Sequence, residues 1–323
     1  MVVGLAIMGA LGLAACRGSA TGHGRPTSEI AFSRGRADNN DISDIYVIKA
    51  DGSGQRRLVP FPAGDPAWSS DGRRIAFTRF PTLFTSDLYI VNADGSGLRQ
   101  LTRSREEESS PVWSPDGRRI AVVIEGEANS NVTYDTDVVN ADGSGRRRLA
   151  PFYAGEPSWS PDGRRIAFTR LPAADASDVY VVNADGSRLR RLTRRSANSP
   201  GSQTPAWSPD GRRIAFANLR VLRAQPEGPF VGSDIYVINA DGSGRRRLTK
   251  SPPQSPGDLD PVWSPDGRQI TFVRQFAIGA TPTSPCGRLT VAKSHSSGTS
   301  RTKPAPTLPT SSSSTPTATG CGD

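Results

Sequence analysis

A ten-residue phrase, WSPDGRRIAF, occurs five times with small changes, and this repetition restricts the fold more than any other feature of the chain. The copies begin at Trp68, Trp113, Trp159, Trp207 and Trp263. A second phrase, NADGS or KADGS, follows a β-rich run such as SDIYVI and keeps pace with the first. Repeats with a period of about 20 to 50 residues are typical of solenoids and propellers, in which each unit buries its apolar face against its neighbours.

Each repeat predicts four antiparallel strands, which read P-x-W-S, R-I-A-F, D-I-Y-V and R-R-L-T in order. Pro, Asp and Gly in S-P-D-G suit a tight turn that closes a hairpin, and N-A-D-G repeats that chemistry between the third and fourth strands. Each Trp is large enough to fill the gap between neighbouring sheets. Four-stranded units of about 45 residues in series predict an all-β fold, the β-propeller.

The number of blades is left open between six and five. Six copies of the second strand, near residues 30, 75, 120, 166, 214 and 270, favour six blades. The first unit has no W-S-P-D-G strand, and the last loses the pattern near Gln275, where RLTV (Arg288 to Val291) could complete it. With five blades, the strand at Trp263 would complete the opening unit. The change near Gln275 could also reflect a truncated reading frame.

The combined phrase W-S-P-D-G-x-x-I-A-F and D-I-Y-V-x-N-A-D-G-S-G-x-x-R-L-T resembles the WD-like repeat of TolB-type propellers. The resemblance covers about Ser28 to Arg274 and implies a TolB-like β-propeller. TolB itself would imply work with the Tol-Pal system of the bacterial envelope. Such propellers serve many functions, so the resemblance is specific for the fold.

The N-terminus predicts export. Val2 to Leu13 is an apolar run too short to span a bilayer, as in a signal peptide, and LAAC (Leu13 to Cys16) resembles a bacterial lipobox. We therefore expect a signal peptide at 1–15, a lipid on Cys16, a linker at 16–27, the propeller at 28–275, and a disordered Ser/Thr/Pro-rich tail at 276–323. An ordinary signal peptide with an incidental Cys is the alternative, and the start codon could lie upstream.

The other two cysteines, Cys286 and Cys321, lie in the predicted tail. Export to an oxidising compartment would allow them to form a disulfide. Such a bridge would close a loop in the tail and would not hold the core.

The formal net charge is +9, which by itself would suggest a nucleic-acid partner. Most Arg residues recur at fixed repeat positions, so we expect solvated rings of charge and no nucleic-acid site, with a polyanion site as the alternative. Only four of the basic residues are Lys.

Alternate strand connections lie at opposite ends of a blade, so both DG turns share one face and the variable segments share the other, here called the loop face. Binding residues concentrate on variable loops that a rigid scaffold supports. The residues before P-x-W on this side are Asp65, Ser110, Glu156, Thr204 and Asp260. Asp65, Glu156 and Asp260 are the candidate ligand-binding residues at the channel mouth, for a cation or a basic peptide. The alternative is that each accepts a local backbone hydrogen bond or pairs with Arg.

Asp137 replaces the aromatic residue that the repeat places at Tyr46, Tyr89, Tyr180 and Tyr236. A buried charge needs a partner, so Asp137 is either a structural acid paired with Arg or a ligand contact.

The sequence contains no recognisable catalytic constellation: its two histidines, His23 and His295, lie outside the predicted propeller. We expect no catalytic residue, no metal and no cofactor. The prediction is a non-catalytic, lipid-anchored, extracytoplasmic propeller, a monomer that binds an envelope protein or peptide and contacts the membrane through Cys16. The alternative is a carbohydrate-active or other hydrolase or lyase propeller that uses carboxylates at the channel mouth.

Overall fold

The computed structural model describes residues 29–36, 43–82, 85–104, 106–128, 131–150, 154–173, 176–194, 199–223, 230–252, 255–275 and 288–293. All regular secondary structure in these ranges is β-strand, arranged as six antiparallel sheets. The all-β prediction is therefore confirmed.

The sheets follow one another along the chain, and each is formed by consecutive strands. Sheet 1 contains β1 (Glu29–Gly35), β2 (Ser43–Lys49) and β3 (Arg56–Arg57). Sheet 2 contains β4 (Ala63–Trp68), β5 (Arg74–Thr82), β6 (Thr85–Asn92) and β7 (Arg99–Gln100). Sheet 3 contains β8 (Glu107–Trp113), β9 (Arg119–Ala128), β10 (Asn131–Asn140) and β11 (Arg147–Ala150).

Sheet 4 contains β12 (Ala154–Trp159), β13 (Arg165–Ala173), β14 (Ala176–Asn183) and β15 (Arg190–Arg191). Sheet 5 contains β16 (Ser202–Trp207), β17 (Arg213–Arg223), β18 (Phe230–Asn239) and β19 (Arg246–Arg247). Sheet 6 contains β20 (Gly257–Trp263), β21 (Gln269–Gln275) and β22 (Arg288–Lys293). The last strand lies beyond the predicted propeller boundary at 275 and pairs with β21 as a third strand.

The repeated turns have the predicted geometry. In the turn between β8 and β9, the N–H of Gly117 donates to the carbonyl of Ser114 at 2.9 Å, and Gly117 has a φ of 64°. Only glycine adopts this left-handed conformation without a steric penalty. The Asp116 carboxylate accepts bonds from the Ser114 hydroxyl and the Arg118 N–H, which fixes the turn. The spelling of the repeat therefore describes a hairpin.

The tryptophans lie between sheets, as predicted. Trp113 packs in one cluster with Leu88 and Ile90 of sheet 2, and its indole N–H donates to the carbonyl of Ala67 at 3.0 Å. The first strands β4, β8, β12, β16 and β20 contact one another in succession, so they are the inner strands of the propeller. The indole N–H groups of Trp159 and Trp263 make the same bond to the preceding inner strand, so sheets 3, 4 and 6 are each held to the preceding sheet by an indole.

The charge pattern predicted that the arginines after each S-P-D-G turn are solvated, but the structure shows that some of them are packed between sheets. The second one stacks on the Trp of the following sheet: Arg74 lies 4.7 Å from the centre of the Trp113 ring and also donates to the carbonyl of Gly117 at 2.9 Å. The same stacking joins Arg119 to Trp159, Arg165 to Trp207 and Arg213 to Trp263. These cation–π contacts join neighbouring sheets.

Candidate functional site

A strained residue interrupts each inner strand on the side of the loop face. Asp65, Ser110, Glu156, Thr204 and Asp260, here called the bulge residues, all have positive φ values, from 50° to 55°. Each lies where the pairing register with the second strand shifts. A non-glycine residue in this conformation costs about 1 to 2 kcal/mol, and such bulges often position side chains at sites. The three predicted ligand-binding carboxylates therefore share one structural position.

Two of these carboxylates bind the backbone of the next sheet. Asp65 accepts a hydrogen bond from the N–H of Ser110 at 3.2 Å. Glu156 accepts one from the N–H of Thr204 at 2.7 Å, and another from the Thr169 hydroxyl at 2.6 Å. An acid on one inner strand thus joins the bulge of the following strand, which is the local role that the sequence left open.

Asp260 occupies the same position in sheet 6, and within the described ranges no hydrogen bond reaches its carboxylate. The three carboxylates belong to sheets 2, 4 and 6, so sheets 3 and 5 lie between them in chain order. Among the described residues, no group of three or more His, Cys, Asp or Glu side chains has a geometry suited to a metal ion.

A separate acidic group surrounds Asp65. Glu107 in β8 pairs in register with Glu125 in β9. Burial, then the charge of Glu125, then that of Asp65, raise the pKa of Glu107 above its ordinary value. We call Asp65, Glu107 and Glu125 the acidic sector. Sequence reasoning missed Glu107 and Glu125, although the run of three glutamates at 106–108 was a signal.

The acids of the third strands are structural. Asp44 in β2 accepts from Arg36 at 2.9 Å and from Arg57 at 2.8 Å, and Asp234 in β18 pairs with Arg247 at 2.7 Å. In the other three of these sheets, a side chain of the following strand binds the equivalent acid: Gln100 binds Asp87, Arg148 binds Asp135, and Arg191 binds Asp178. In sheets 1 to 5 these bonds join the strand that carries the acid to the strand that follows it, so these carboxylates are part of the framework.

Asp137 is paired with arginine, which confirms one of the two interpretations. Its carboxylate binds Arg146 at 2.8 Å, and Arg146 also binds the fully buried Glu108 at 2.9 Å. In four other sheets the equivalent register pair is a stacked Phe and Tyr, such as Phe77 with Tyr89. Sheet 3 has Val122 opposite Asp137 instead. An ion network has thus replaced an aromatic pair.

Burial raises the pKa of Glu108 above its ordinary value, and this effect outweighs the hydrogen bond from the Thr102 hydroxyl and the charge of Arg146. The pKa of Arg146 is raised, because its bonds to Asp137 and Glu108 outweigh the effect of its partial burial. Both directions fit one buried pair in which the cation is firmly held and the carboxylate is poorly solvated.

The predicted lipid site Cys16 and the cysteines Cys286 and Cys321 lie outside the described residues. Within the described ranges, no helix has the length and apolar character that crossing a bilayer requires.

Comparisons with known proteins agree with this geometry. The family model of the TolB β-propeller domain matches residues 81–226. TolB from Acinetobacter baumannii superposes with a TM-score of 0.56 and 18% identity, over 83% of this chain and 64% of that protein. This chain therefore spans less than two thirds of the length of that TolB.

A protein described as TolB from Agrobacterium tumefaciens gives a TM-score of 0.56 and 21% identity, over 78% of this chain and 90% of that one. An oligogalacturonate lyase in complex with manganese gives 0.59 and 14%, over 76% and 67%. At these identities the likeness shows the fold. No curated protein matches the chain. The repeat, the sheets joined by indoles and the matching domain model lead to one conclusion: this chain is a TolB-like β-propeller.

Proposed function

We propose that this propeller is a non-catalytic scaffold of the bacterial cell envelope, which binds a basic segment of a partner protein on its loop face. The observation that carries the proposal is the acidic sector. Burial, together with the negative charges of Glu125 and Asp65, raises the pKa of Glu107, so a cationic group placed among these three carboxylates would be stabilised. Glu156 and Asp260, on other inner strands, would extend the same negative lining around the channel mouth.

The framework supports this proposal. Repeated sheets with nearly identical turns hold segments of different lengths on the loop face. Two hairpins are longer than the rest: β9 and β10 have 10 residues each, and β17 and β18 have 11 and 10. Variation carried on a constant scaffold is typical of a recognition surface.

We also propose that the protein is exported and held at the membrane by a lipid on Cys16, on the evidence of the apolar run and LAAC. Two or more acyl chains would anchor the propeller stably without a transmembrane helix. The replacement C16S should move the protein from the membrane fraction to the soluble exported fraction, as measured by fractionation and immunoblotting. Retention of C16S in membranes would contradict the anchor.

The competing function is an enzyme, since solved structures with this fold include an oligogalacturonate lyase. A carboxyl with a raised pKa, such as Glu107, could serve as a general acid. Asp65 and Glu156 are held by backbone N–H groups of the next sheet, and the third-strand acids are bound by Arg or amide groups. These bonds favour a structural and binding role for the carboxylates.

The test uses the full-length protein and a defined probe, a fluorescent ten-residue lysine peptide, with binding measured by anisotropy at several salt concentrations. The double variant E107Q/E125Q should weaken binding at least about tenfold. The control D51N/D142N removes the same charge from exposed turns on the opposite face and should leave binding unchanged. Binding should also fall as salt rises.

A partner recovered by crosslinking in membranes should then show the same variant pattern with purified proteins. Equal binding by E107Q/E125Q and D51N/D142N would contradict the proposal. Cleavage of oligogalacturonate by the wild type, abolished in E107Q, would replace the scaffold with the enzyme.

A further inference from the structure

An open pocket lies between sheets 4 and 5, on the face of the DG turns. Its volume is about 630 Å³, which is within the range of small-molecule sites. Three arginines line it: Arg165 at the start of β13, Arg190 in β15 and Arg212 in the turn before β17. The rest of the lining comes from the two DG turns of sheet 5 and includes one acid, Asp241. We call this the arginine pocket.

Asp241 offsets only part of the positive charge. Its carboxylate accepts hydrogen bonds from the hydroxyl and the N–H of Ser243, at 2.7 and 2.9 Å, and these two bonds lower its pKa. The carboxylate is therefore ionised at neutral pH and is held by its own turn. Three cations against one anion leave the lining with an excess of two positive charges.

Arg165 differs from the arginines that occupy the same repeat position in sheets 2 and 3. In sheet 2, Arg74 donates to the carbonyl of Gly117 in the next sheet at 2.9 Å, and Gly117 is buried. The same bond, also at 2.9 Å, joins Arg119 to the buried Gly163. In these two places the repeat thus directs the guanidinium to a protein acceptor.

The equivalent glycine for Arg165 is Gly211, which is only half-buried. Within the described ranges the Arg165 guanidinium donates no hydrogen bond to it, and the side chain keeps its stacking on the Trp207 ring, at 4.6 Å. The ring holds the guanidinium in place while its N–H groups remain available to a ligand.

The other two arginines also have donors to offer. The side chain of Arg212 is exposed, and no residue in the described part of the chain accepts a hydrogen bond from its guanidinium. Arg190 donates to the carbonyls of Ala240 and Asp241 through its two terminal nitrogens. A guanidinium has five N–H donors, so these bonds fix the group and leave further donors unused.

The arrangement of the three cations favours a phosphate ligand. A guanidinium binds phosphate or carboxylate oxygens through paired N–H donors. The cations of the arginine pocket belong to β13, β15 and a turn of the next sheet, so they approach a ligand from different elements. A carboxylate offers two oxygens in one plane and one charge, whereas a phosphate group offers three oxygens and nearly two charges. The excess of two positive charges matches the phosphate better.

We propose that the arginine pocket binds a ligand through a phosphate or diphosphate group, which Arg165, Arg190 and Arg212 hold together. The pocket lies on the opposite face from the acidic sector. Its test is therefore independent of the peptide-binding test of the loop face.

The experiment titrates the full-length protein with pyrophosphate and measures binding by isothermal titration calorimetry. We expect saturable binding at one site per chain, which weakens as salt rises. R212Q should weaken binding at least about tenfold, because it removes an exposed cation that has no protein acceptor in the described ranges. Acetate should bind at least about tenfold more weakly than pyrophosphate.

R118Q is the matched control. Arg118 is the equivalent exposed residue in the turn before β9, beside the junction where Arg74 is bonded to Gly117. R118Q removes the same charge from the same position of the repeat and should leave binding unchanged. R165K keeps the charge, loses the planar group and should weaken binding several-fold, whereas R74K should not. Thermal unfolding checks that all four variants are folded.

Equal weakening by R212Q and R118Q would show a diffuse attraction to the basic surface and would overturn the proposal. Absence of saturable binding, or acetate binding as tight as that of pyrophosphate, would overturn it as well.

The phosphate could belong to a soluble compound or to a lipid headgroup, and a second measurement distinguishes these sources. Phosphatidylcholine vesicles with and without phosphatidic acid are sedimented with the wild type and with R212Q. Sedimentation that requires phosphatidic acid, is lost in R212Q and is reversed by pyrophosphate would assign the site to a lipid headgroup. Pyrophosphate binding without sedimentation would assign it to a soluble phosphate compound.

Discussion

Glu107 shows how a single side chain links stability to ligand choice. Its pKa is raised in the folded protein, so the unfolded chain releases this proton at a lower pH. As pH rises above the ordinary glutamate value of about 4.3, the unfolded state is therefore favoured until the folded carboxyl also ionises. At neutral pH the charge lowers the free energy of unfolding, and a cationic ligand would reverse that effect.

The variant E107Q should therefore unfold at a higher temperature than the wild type at pH 7, by about 1 to 3 °C. Glutamine keeps the shape, and it removes both the cost of burying a charge and the repulsion from Glu125 and Asp65. Calorimetry over a range of pH measures the difference. At pH 3 the two proteins should unfold at the same temperature, because the carboxyl is then protonated; a difference that persists there would show that charge is not the cause.

The tryptophans of the inner strands stabilise the contacts between neighbouring sheets. W113A should lower the free energy of unfolding by about 3 to 5 kcal/mol, because it opens a cavity and removes a buried hydrogen bond. W68A should cost at least about 1 kcal/mol less, since Trp68 is only partly buried and its N–H has no acceptor. Urea unfolding measures the free energy of unfolding of both variants. Equal losses would contradict the conclusion that Trp68 is less well packed than Trp113.

The ion network of sheet 3 is a second element-level feature. R146A should destabilise the protein by about 2 to 4 kcal/mol, because it leaves the buried Glu108 without its cation and leaves Asp137 with only the longer contact to Arg148, at 3.6 Å. Adding E108Q and D137N to R146A should recover part of the loss. Urea unfolding measures both steps. A change below about 0.5 kcal/mol in R146A would place the network in the class of surface ion pairs.

The strands, the turns and the packing positions of the tryptophans could be predicted from the sequence because each depends on a short local pattern. WSPDG specifies its own hairpin, and its recurrence specifies the stacking of sheets. The cation–π contact of Arg74 with Trp113 could not be predicted, since it joins residues of different sheets that only the packed fold brings together. For the same reason the sequence suggested three acids at the channel mouth, while the crowding of Asp65 by Glu107 and Glu125 depends on β8 pairing with β9.

At the scale of the whole molecule, the positive charge is used largely to join sheets. Arg99 donates to the carbonyls of Ala141 and Asp142 on the next sheet, and Arg190 does the same to Ala240 and Asp241. Such contacts occur on the face of the DG turns, opposite the loop face. The bias toward Arg over Lys fits this use, because a planar guanidinium can stack on a ring and donate several bonds at once.

The DG turns also determine how the whole propeller responds to acid. Each turn has an aspartate with a lowered pKa, at Asp51, Asp71, Asp94, Asp116, Asp142, Asp162, Asp185, Asp210, Asp241 and Asp266. In Asp116, burial acts to raise the pKa, and the bonds from Ser114 and Arg118 together with arginine charges outweigh it. In Asp142, the hydroxyl and N–H of Ser144 lower it.

A lowered pKa in the folded state means that the unfolded chain takes up protons first on acidification. The stabilisation is therefore complete above the ordinary aspartate value of about 3.9 and is lost as pH falls through the folded values. With only two histidines in the chain, the unfolding temperature should vary little between pH 6 and 8 and fall steeply below pH 4. The triple variant D116N/D162N/D210N removes three of these carboxylates while keeping a hydrogen-bond acceptor in each turn. It should be less stable than the wild type at pH 7 and approach it at pH 3, as calorimetry would measure. Equal dependence on pH in both proteins would mean that carboxylates outside the turns control the acid response.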